Sequence, residues 1–226
     1  MLILLPNLLH PNSLLESSFV PIMKEKVLSL SGLIAESEKE GRRFLKRFLD
    51  DFRKLPIALL NKHSHLIDPL LSPLQKGETW GLISDAGLPT LADPGAHLVR
   101  RLHCLKIHVE TLPGPSSIIM ALQLSGFFAQ RFTFYGYPPH EEGDFRELLR
   151  TLPKEHPYIF IETPYKTDRL FKFFLDHSRS ETELSISWSL MSNNQGTQTD
   201  SIAKWRETNK VFGKVPAVFI IKRKKI

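Results

Sequence analysis

The sequence predicts an α/β protein built as two successive α/β sets, and three observations carry that expectation. Short apolar runs of strand length alternate with stretches of helical periodicity through the first two-thirds of the chain. These runs are mostly apolar rather than alternately apolar and polar, as strands buried on both faces of a largely parallel sheet should be. A proline- and charge-rich stretch, Tyr137-Pro138-Pro139-His140-Glu141-Glu142-Gly143, then breaks the pattern, and a second alternating set begins beyond it. The expected division is an N-terminal lobe of residues 1–136 and a C-terminal lobe of residues 137–226.

Taken in order, the first lobe has candidate strands at residues 2–5, 33–35, 57–60, 80–84, 107–111 and 132–135. The clearest helix between them gathers Phe44, Leu45, Phe48, Leu49 and Phe52 on one face, with Arg42, Arg43, Lys46, Arg47 and Arg53 on the others. Asp93-Pro94 reads as an N-cap carboxylate followed by proline at the first helical position, and Leu98, Leu102 and Leu105 continue that helix. In the second lobe the reading is a helix at 145–152, a strand at 158–161, a helix at 165–177 and a strand at 184–188. A last apolar strand at 217–221 runs into the basic tail Lys222-Arg223-Lys224-Lys225.

Composition bounds the function. The chain has 226 residues, 42% hydrophobic and 24% charged, which suits a globular protein with a sizeable core and excludes a disordered one. A net charge of +6 fits an anionic partner such as RNA, or simply a basic surface. Cys104 is the only cysteine, so no intrachain disulfide can form, and a reducing, cytoplasmic setting is expected. The opening Met1-Leu2-Ile3-Leu4-Leu5-Pro6 lacks a basic segment and breaks at proline, which reads as a buried strand and not a secretory signal. No apolar run reaches the length of a membrane span, roughly 18 residues.

Two loops carry candidate chemistry, each beyond the carboxyl end of a strand, where α/β sheets bind ligands. The first reads Ser84-Asp85-Ala86-Gly87-Leu88-Pro89-Thr90-Leu91-Ala92-Asp93-Pro94-Gly95. Its hydroxyl, carboxylate and glycines allow close backbone approach to a polar ligand. The second reads Pro113-Gly114-Pro115-Ser116-Ser117 and runs into a helix carrying Ile118, Ala121 and Leu122. Backbone N–H groups and two hydroxyls at a helix start suit a carboxylate or a ribose. A plain turn followed by a cap accounts for either loop as well.

The pair of loops resembles the tetrapyrrole-methylase superfamily, and within it a branch that methylates small-subunit ribosomal RNA. That branch carries S-D-A-G-x-P-x-x-x-D-P-G followed by L-P-G-P-S, matched here from Ser84 to Gly95 and from Leu112 to Ser116. The resemblance implies a homodimeric methyltransferase of two α/β lobes with S-adenosylmethionine in the cleft between them. It implies that Pro6, Ser84, Asp85, Ala86, Gly87, Ser116 and Ser117 line the cofactor, with backbone groups near Gly87 and Ser116 holding its methionine end. Elsewhere the family pattern thins. Its P-x-G-N-L becomes Pro6-Asn7-Leu8, and its E-D-T-R becomes Glu36-Ser37-Glu38-Lys39. An H-D/E-H-N element becomes Asn61-Lys62-His63-Ser64, and E-S/A-P-H-R becomes Glu162-Thr163-Pro164-Tyr165-Lys166. The charged R-E-L-T-K becomes Trp188-Ser189-Leu190-Met191-Ser192. These changes fall mainly outside the cofactor loops and bear on the acceptor.

An RNA ribose 2′-hydroxyl needs a base, because an alcohol is a poor nucleophile. Glu162, His63 and Glu36 are the candidates, and Glu162 equally suits a helix-capping role before Pro164. His63 and His65 lack carboxylate or cysteine partners nearby in sequence, so no metal is expected. No G-x-G-x-x-G follows a strand, which counts against a nicotinamide enzyme. The basic stretch from Arg42 to Lys54 and the C-terminal tail could meet phosphates or be merely solvated. A different acceptor such as a tetrapyrrole, or a catalytically inactive cofactor- and RNA-binding protein, are the alternative functions.

Overall fold

The computed structural model describes residues 1–13, 19–61, 67–154 and 156–223. The chain divides into two compact units, Met1–Ser116 and Ser117–Ile226.

The first unit is a parallel five-stranded sheet of β1 (Leu2–Leu4), β2 (Gly32–Ala35), β3 (Ile57–Leu59), β4 (Trp80–Leu82) and β5 (Val109–Thr111), in the order β3-β2-β4-β1-β5. The connections carry α1 (Ile22–Leu28), α2 (Glu38–Leu45), α3 (Asp68–Gln75) and α4 (Gly95–Cys104). Neighbouring strand residues serve different cores. Ile3 and Leu33 pack in one cluster with Met23, Val27 and Phe44, while Leu2 and Ile34 pack in another with Leu71, Leu74 and Leu98. Successive side chains of a strand point to opposite faces, so two apolar clusters require apolar residues at every position. That is why β1 and β2 read as unbroken apolar runs.

The second unit is a mixed sheet. Its strands are β6 (Thr133–Gly136), β7 (Tyr158–Glu162), β8 (Glu183–Trp188), β9 (Gly196–Ser201) and β10 (Ala217–Lys222), in the order β6-β7-β10-β8-β9. Only β6 and β7 run parallel; β10 pairs antiparallel with β7 and β8, and β8 antiparallel with β9. Its helices are α5 (Ser117–Leu124), α6 (Glu142–Thr151), α7 (Thr167–His177) and α8 (Ile202–Arg206), with a 3₁₀ turn at Pro164–Lys166 before α7. Phe145, Phe160, Phe174, Phe219 and Trp205 form an aromatic core, with Phe145 stacked on Phe173 at 4.4 Å. The Trp205 indole N–H is satisfied inside it, donating to the Leu184 carbonyl at 2.8 Å.

Three expectations are corrected. The strand expected at 132–135 pairs with β7, Thr133 opposite Tyr158, so it belongs to the second sheet, and the division falls at Ser116 and Ser117 instead of after residue 136. The proline-rich stretch therefore joins two elements of one unit, β6 and α6. The helix expected to start at Pro94 starts at Gly95, with Pro94 in the N-cap position and no side-chain cap. The helical face read through Phe52 ends at Leu45; Phe48, Leu49 and Phe52 still pack on the first core, but from turns. Those turns are held from α2 by Arg42, whose guanidinium donates to the carbonyls of Phe52 at 3.0 Å and Leu55 at 2.7 Å. Among the described residues, no helix is long and apolar enough to cross a membrane.

Candidate functional site

Strands β4, β1 and β5 are neighbours, so the segments that leave their carboxyl ends are brought together in the first unit. Asn7, just beyond β1, joins them. Its amide donates to the Ser84 carbonyl at 2.9 Å and the Asp85 carbonyl at 3.1 Å. Its backbone forms an isolated bridge with Gly87, N–H to carbonyl in both directions at 2.8 and 3.2 Å. Its side-chain oxygen accepts the Leu8 N–H at 2.9 Å and the Arg47 guanidinium at 3.0 Å. Asn7 is 3% exposed, so this set of bonds is what a buried amide requires.

The third segment closes on the other two. A Cβ at Gly114 would overlap the buried Pro6 ring, and one at Gly87 would sit 3.1 Å from a Leu9 methyl and 3.4 Å from the Pro115 carbonyl oxygen. Gly87 also has φ +72°, a left-handed conformation that glycine adopts without penalty. Thr90 and Ala92 in the same loop have φ of +72° and +64°, strain that only a well-held loop sustains.

The candidate cofactor residues thus take different positions. Ser84 is buried and turns its hydroxyl back to the Ala86 carbonyl at 3.0 Å, shaping the loop. Gly87 spends its N–H and carbonyl on Asn7, so its own contribution is conformational. Pro6 is buried beneath Gly114. Asp85 and Ala86 are exposed at the loop tip. Ser116 is buried at the end of the first unit, and Ser117 is the half-buried first residue of α5 in the second.

Glu36 stands at the end of β2, where Ser37 caps α2 by accepting the Glu40 N–H at 3.3 Å. Its Oε1 accepts the Asp85 N–H at 3.4 Å, which places a second carboxylate beside the loop tip. Burial, and then the nearby Glu40 charge, raise the Asp85 carboxyl above its ordinary pKa. Glu162 ends β7 in the second unit, and its Oε1 accepts the Thr163 N–H at 2.7 Å, just before the 3₁₀ turn, which has no side-chain cap. His63 and His65 lie outside the described residues. Among the described residues no group of three or more His, Cys, Asp or Glu is placed to hold a metal.

Asn7 and Arg47 are the members of this constellation that sequence reasoning missed. Burial pulls the Arg47 guanidinium below its ordinary pKa, Arg43 adds to that, and Glu40 opposes it. The signal for Asn7 was present as the retained part of the opening Pro6-Asn7-Leu8. Arg47 had none, since it reads as one more cation on a solvated face.

A parallel α/β sheet with three loops gathered at its carboxyl edge, followed by a mixed α/β unit, defines a two-unit α/β protein with a loop-built candidate site. Residues 20–203 match the model of the Tetrapyrrole (Corrin/Porphyrin) Methylases, and the chain belongs to that family. It is similar to Ribosomal RNA small subunit methyltransferase I of Pseudomonas aeruginosa, 34% identical over 62% of this chain and 50% of the relative. Its likeness to the enzyme of that name from Thermotoga maritima is 36% over 55% of this chain and 58% of the relative. The chain thus spans about half the length of the curated relatives it matches. Solved structures share the fold. Uroporphyrin-III-C-methyltransferase of Thermus thermophilus aligns with a TM-score of 0.59 at 14% identity over 98% of this chain and 94% of that one. The methyltransferase CobJ aligns with 0.61 at 12% identity, over 100% and 95%.

Proposed function

We propose that this chain is an S-adenosylmethionine-dependent methyltransferase acting on small-subunit ribosomal RNA at a ribose 2′-hydroxyl. The observation that carries the reading is the shared name of its curated relatives, whose printed function is methylation of that RNA. The site's chemistry suits the cofactor. S-adenosylmethionine brings two cationic groups and ribose hydroxyls, and the exposed Asp85 carboxylate with Glu36 beside it supplies complementary acceptors. The buried hydroxyl of Ser84 and the left-handed Gly87 hold the loop open at its tip.

When bound, the cofactor supplies an electrophilic methyl carbon. The chain's own part is alignment and proton removal. Asn7 fixes the loop that carries Asp85, and Asp85 orients the cofactor's positive end. Glu36 and Glu162 each accept one backbone N–H. Glu36 accepts it from the cofactor loop itself, which favours it as the base that receives the hydroxyl proton. The protein works as a homodimer in the cytoplasm, as the family resemblance and the single cysteine suggest.

The test is methyl-label transfer from labelled S-adenosylmethionine, offered isolated small ribosomal subunits in one arm and porphyrin precursors in the other. Label in ribose is the expected result. Label in the porphyrin alone makes the family's tetrapyrrole chemistry the correct reading, and calorimetric cofactor binding without label in either arm makes the chain a binding protein.

A further inference from the structure

We propose that the second unit carries a docking surface for unpaired RNA, formed by the segment between α8 and β10 and the 3₁₀ turn before α7. The inference rests on the reading of the substrate as RNA and assigns it a footprint on the second unit.

The surface is built, not a stray loop. Both oxygens of Asp168, in the first turn of α7, accept backbone N–H groups of that segment, Phe212 at 2.8 Å and Gly213 at 3.0 Å. The Thr167 hydroxyl donates to the Val215 carbonyl at 2.7 Å. Phe212 anchors the segment to the core, edge-on to Phe171 at 5.2 Å and to Trp188 at 5.2 Å. These contacts hold residues 210–214 beside the turn that carries Tyr165.

What the segment presents is aromatic and cationic. Tyr165 is 78% exposed and Val211 is 74% exposed. The Lys210 ammonium lies over the Trp188 ring at 4.6 Å, and the Lys214 ammonium over the Tyr165 ring at 5.5 Å. Lys166 is exposed beside them. Among the described residues no ion pair joins a carboxylate to Lys166, Lys210 or Lys214; Asp168 and Glu162, the acids nearest Lys166 in sequence, are occupied by backbone N–H groups, and Glu207, three residues before Lys210, makes no ion pair with it. The positive charge is therefore left for a partner.

Cations that track phosphates, beside an exposed aromatic ring, are the recognition chemistry of unpaired nucleic acid. A duplex hides its base faces and would leave Tyr165 without a role. The basic face of α2 and the turn after it is the weaker candidate, because Arg42 is committed to intramolecular carbonyls and Arg47 to Asn7.

The experiment is fluorescence anisotropy of a labelled single-stranded fragment of small-subunit ribosomal RNA, alone and annealed to its complement, over a salt series with the full chain. Tyr165→Ala should weaken single-strand binding at least about 5-fold, the lower end of one stacked base, and Tyr165→Phe should restore it. Lys210→Ala with Lys214→Ala should reduce the slope of log K against log salt by about 1.4, at roughly 0.7 per phosphate contact. All of these side chains are at the surface, so thermal melting should match the wild type. Wild-type affinity and slope in every variant would overturn the surface and leave the RNA reading standing. So would a reduced slope with Tyr165→Ala neutral, which leaves a polyanion contact without base stacking, or equal binding of the duplex. Failure of the wild type to bind either RNA would overturn the RNA reading and this surface with it.

Discussion

At the scale of single residues, Asn7 carries more of the site than any residue of the two glycine-bearing loops. Replacing it with Ala strands the buried Ser84 carbonyl, worth about 1–3 kcal/mol when left unpaired, and the part-buried Asp85 carbonyl and Arg47 guanidinium, which water can partly satisfy. Asn7→Ala should therefore lower the melting temperature by several degrees and weaken S-adenosylmethionine in calorimetry; a wild-type melting temperature would show that the amide does not hold the loop. Asp85 makes an opposite prediction. Its folded pKa is raised, so the anion is held less well in the folded chain than in the unfolded one. That penalty is complete at neutral pH, begins to fade as pH falls through the folded pKa and is gone below the unfolded one. Asp85→Asn should leave stability at pH 7 equal or slightly higher while cofactor affinity drops. In the wild type, affinity should decline with acid at a higher pH than an ordinary aspartate would give, and the substitution should abolish that decline. Gly87→Val faces the left-handed backbone, Leu9 and the Pro115 carbonyl together, and should reduce cofactor affinity at least tenfold; unchanged titration would remove Gly87 from the site. The loops were legible because glycine, hydroxyl and carboxylate cluster within a few positions. Asn7 with Arg47 was not, because the contact spans 40 residues and depends on which strands are neighbours.

At the scale of elements, reading failed wherever side chains pair with each other instead of with a core. Strand β9, Gly-Thr-Gln-Thr-Asp-Ser, has no apolar residue to mark it. It is held to β8 by hydroxyl pairs, Thr197 with Ser187 at 2.8 Å and Thr199 with Ser185 at 2.8 Å. Strands β1, β2 and β4 were legible because burial on both faces leaves no polar position to confuse the pattern. Helix α2 shows the reverse error, a basic face that is only partly solvent. Arg42→Ala should cost about 1–3 kcal/mol in denaturant unfolding, since two carbonyls lose their donor. Arg43→Ala removes only a surface pair with Glu40 and should change stability by less than about 1 kcal/mol. Equal effects of the two would refute the distinction.

At the scale of the whole molecule, the two-unit α/β plan was legible from alternation, but the position of the division was not. Proline and charge mark a loop; they do not say which sheet the strand before it joins, and hydrogen-bond pairing of β6 with β7 decides that. A homodimer is the expected assembly of two-fold-symmetric type. Light scattering at micromolar concentration should return twice the 25.9 kDa of the chain, and a mass near the single value would refute it.

The place of β1 between β4 and β5 has a consequence in time. A ribosome releases Leu2, Ile3 and Leu5 long before either neighbour exists, and both edges of that strand stay unpaired while the rest of the unit is made. The nascent chain therefore carries an apolar template that only Trp80–Leu82 and Val109–Thr111 can cover. Stalled chains ending at Gly77 should be cut by protease near their first residues, and chains extended well past Ser116 should resist. Protection already present in the shorter chains would show that some other segment shelters β1 first.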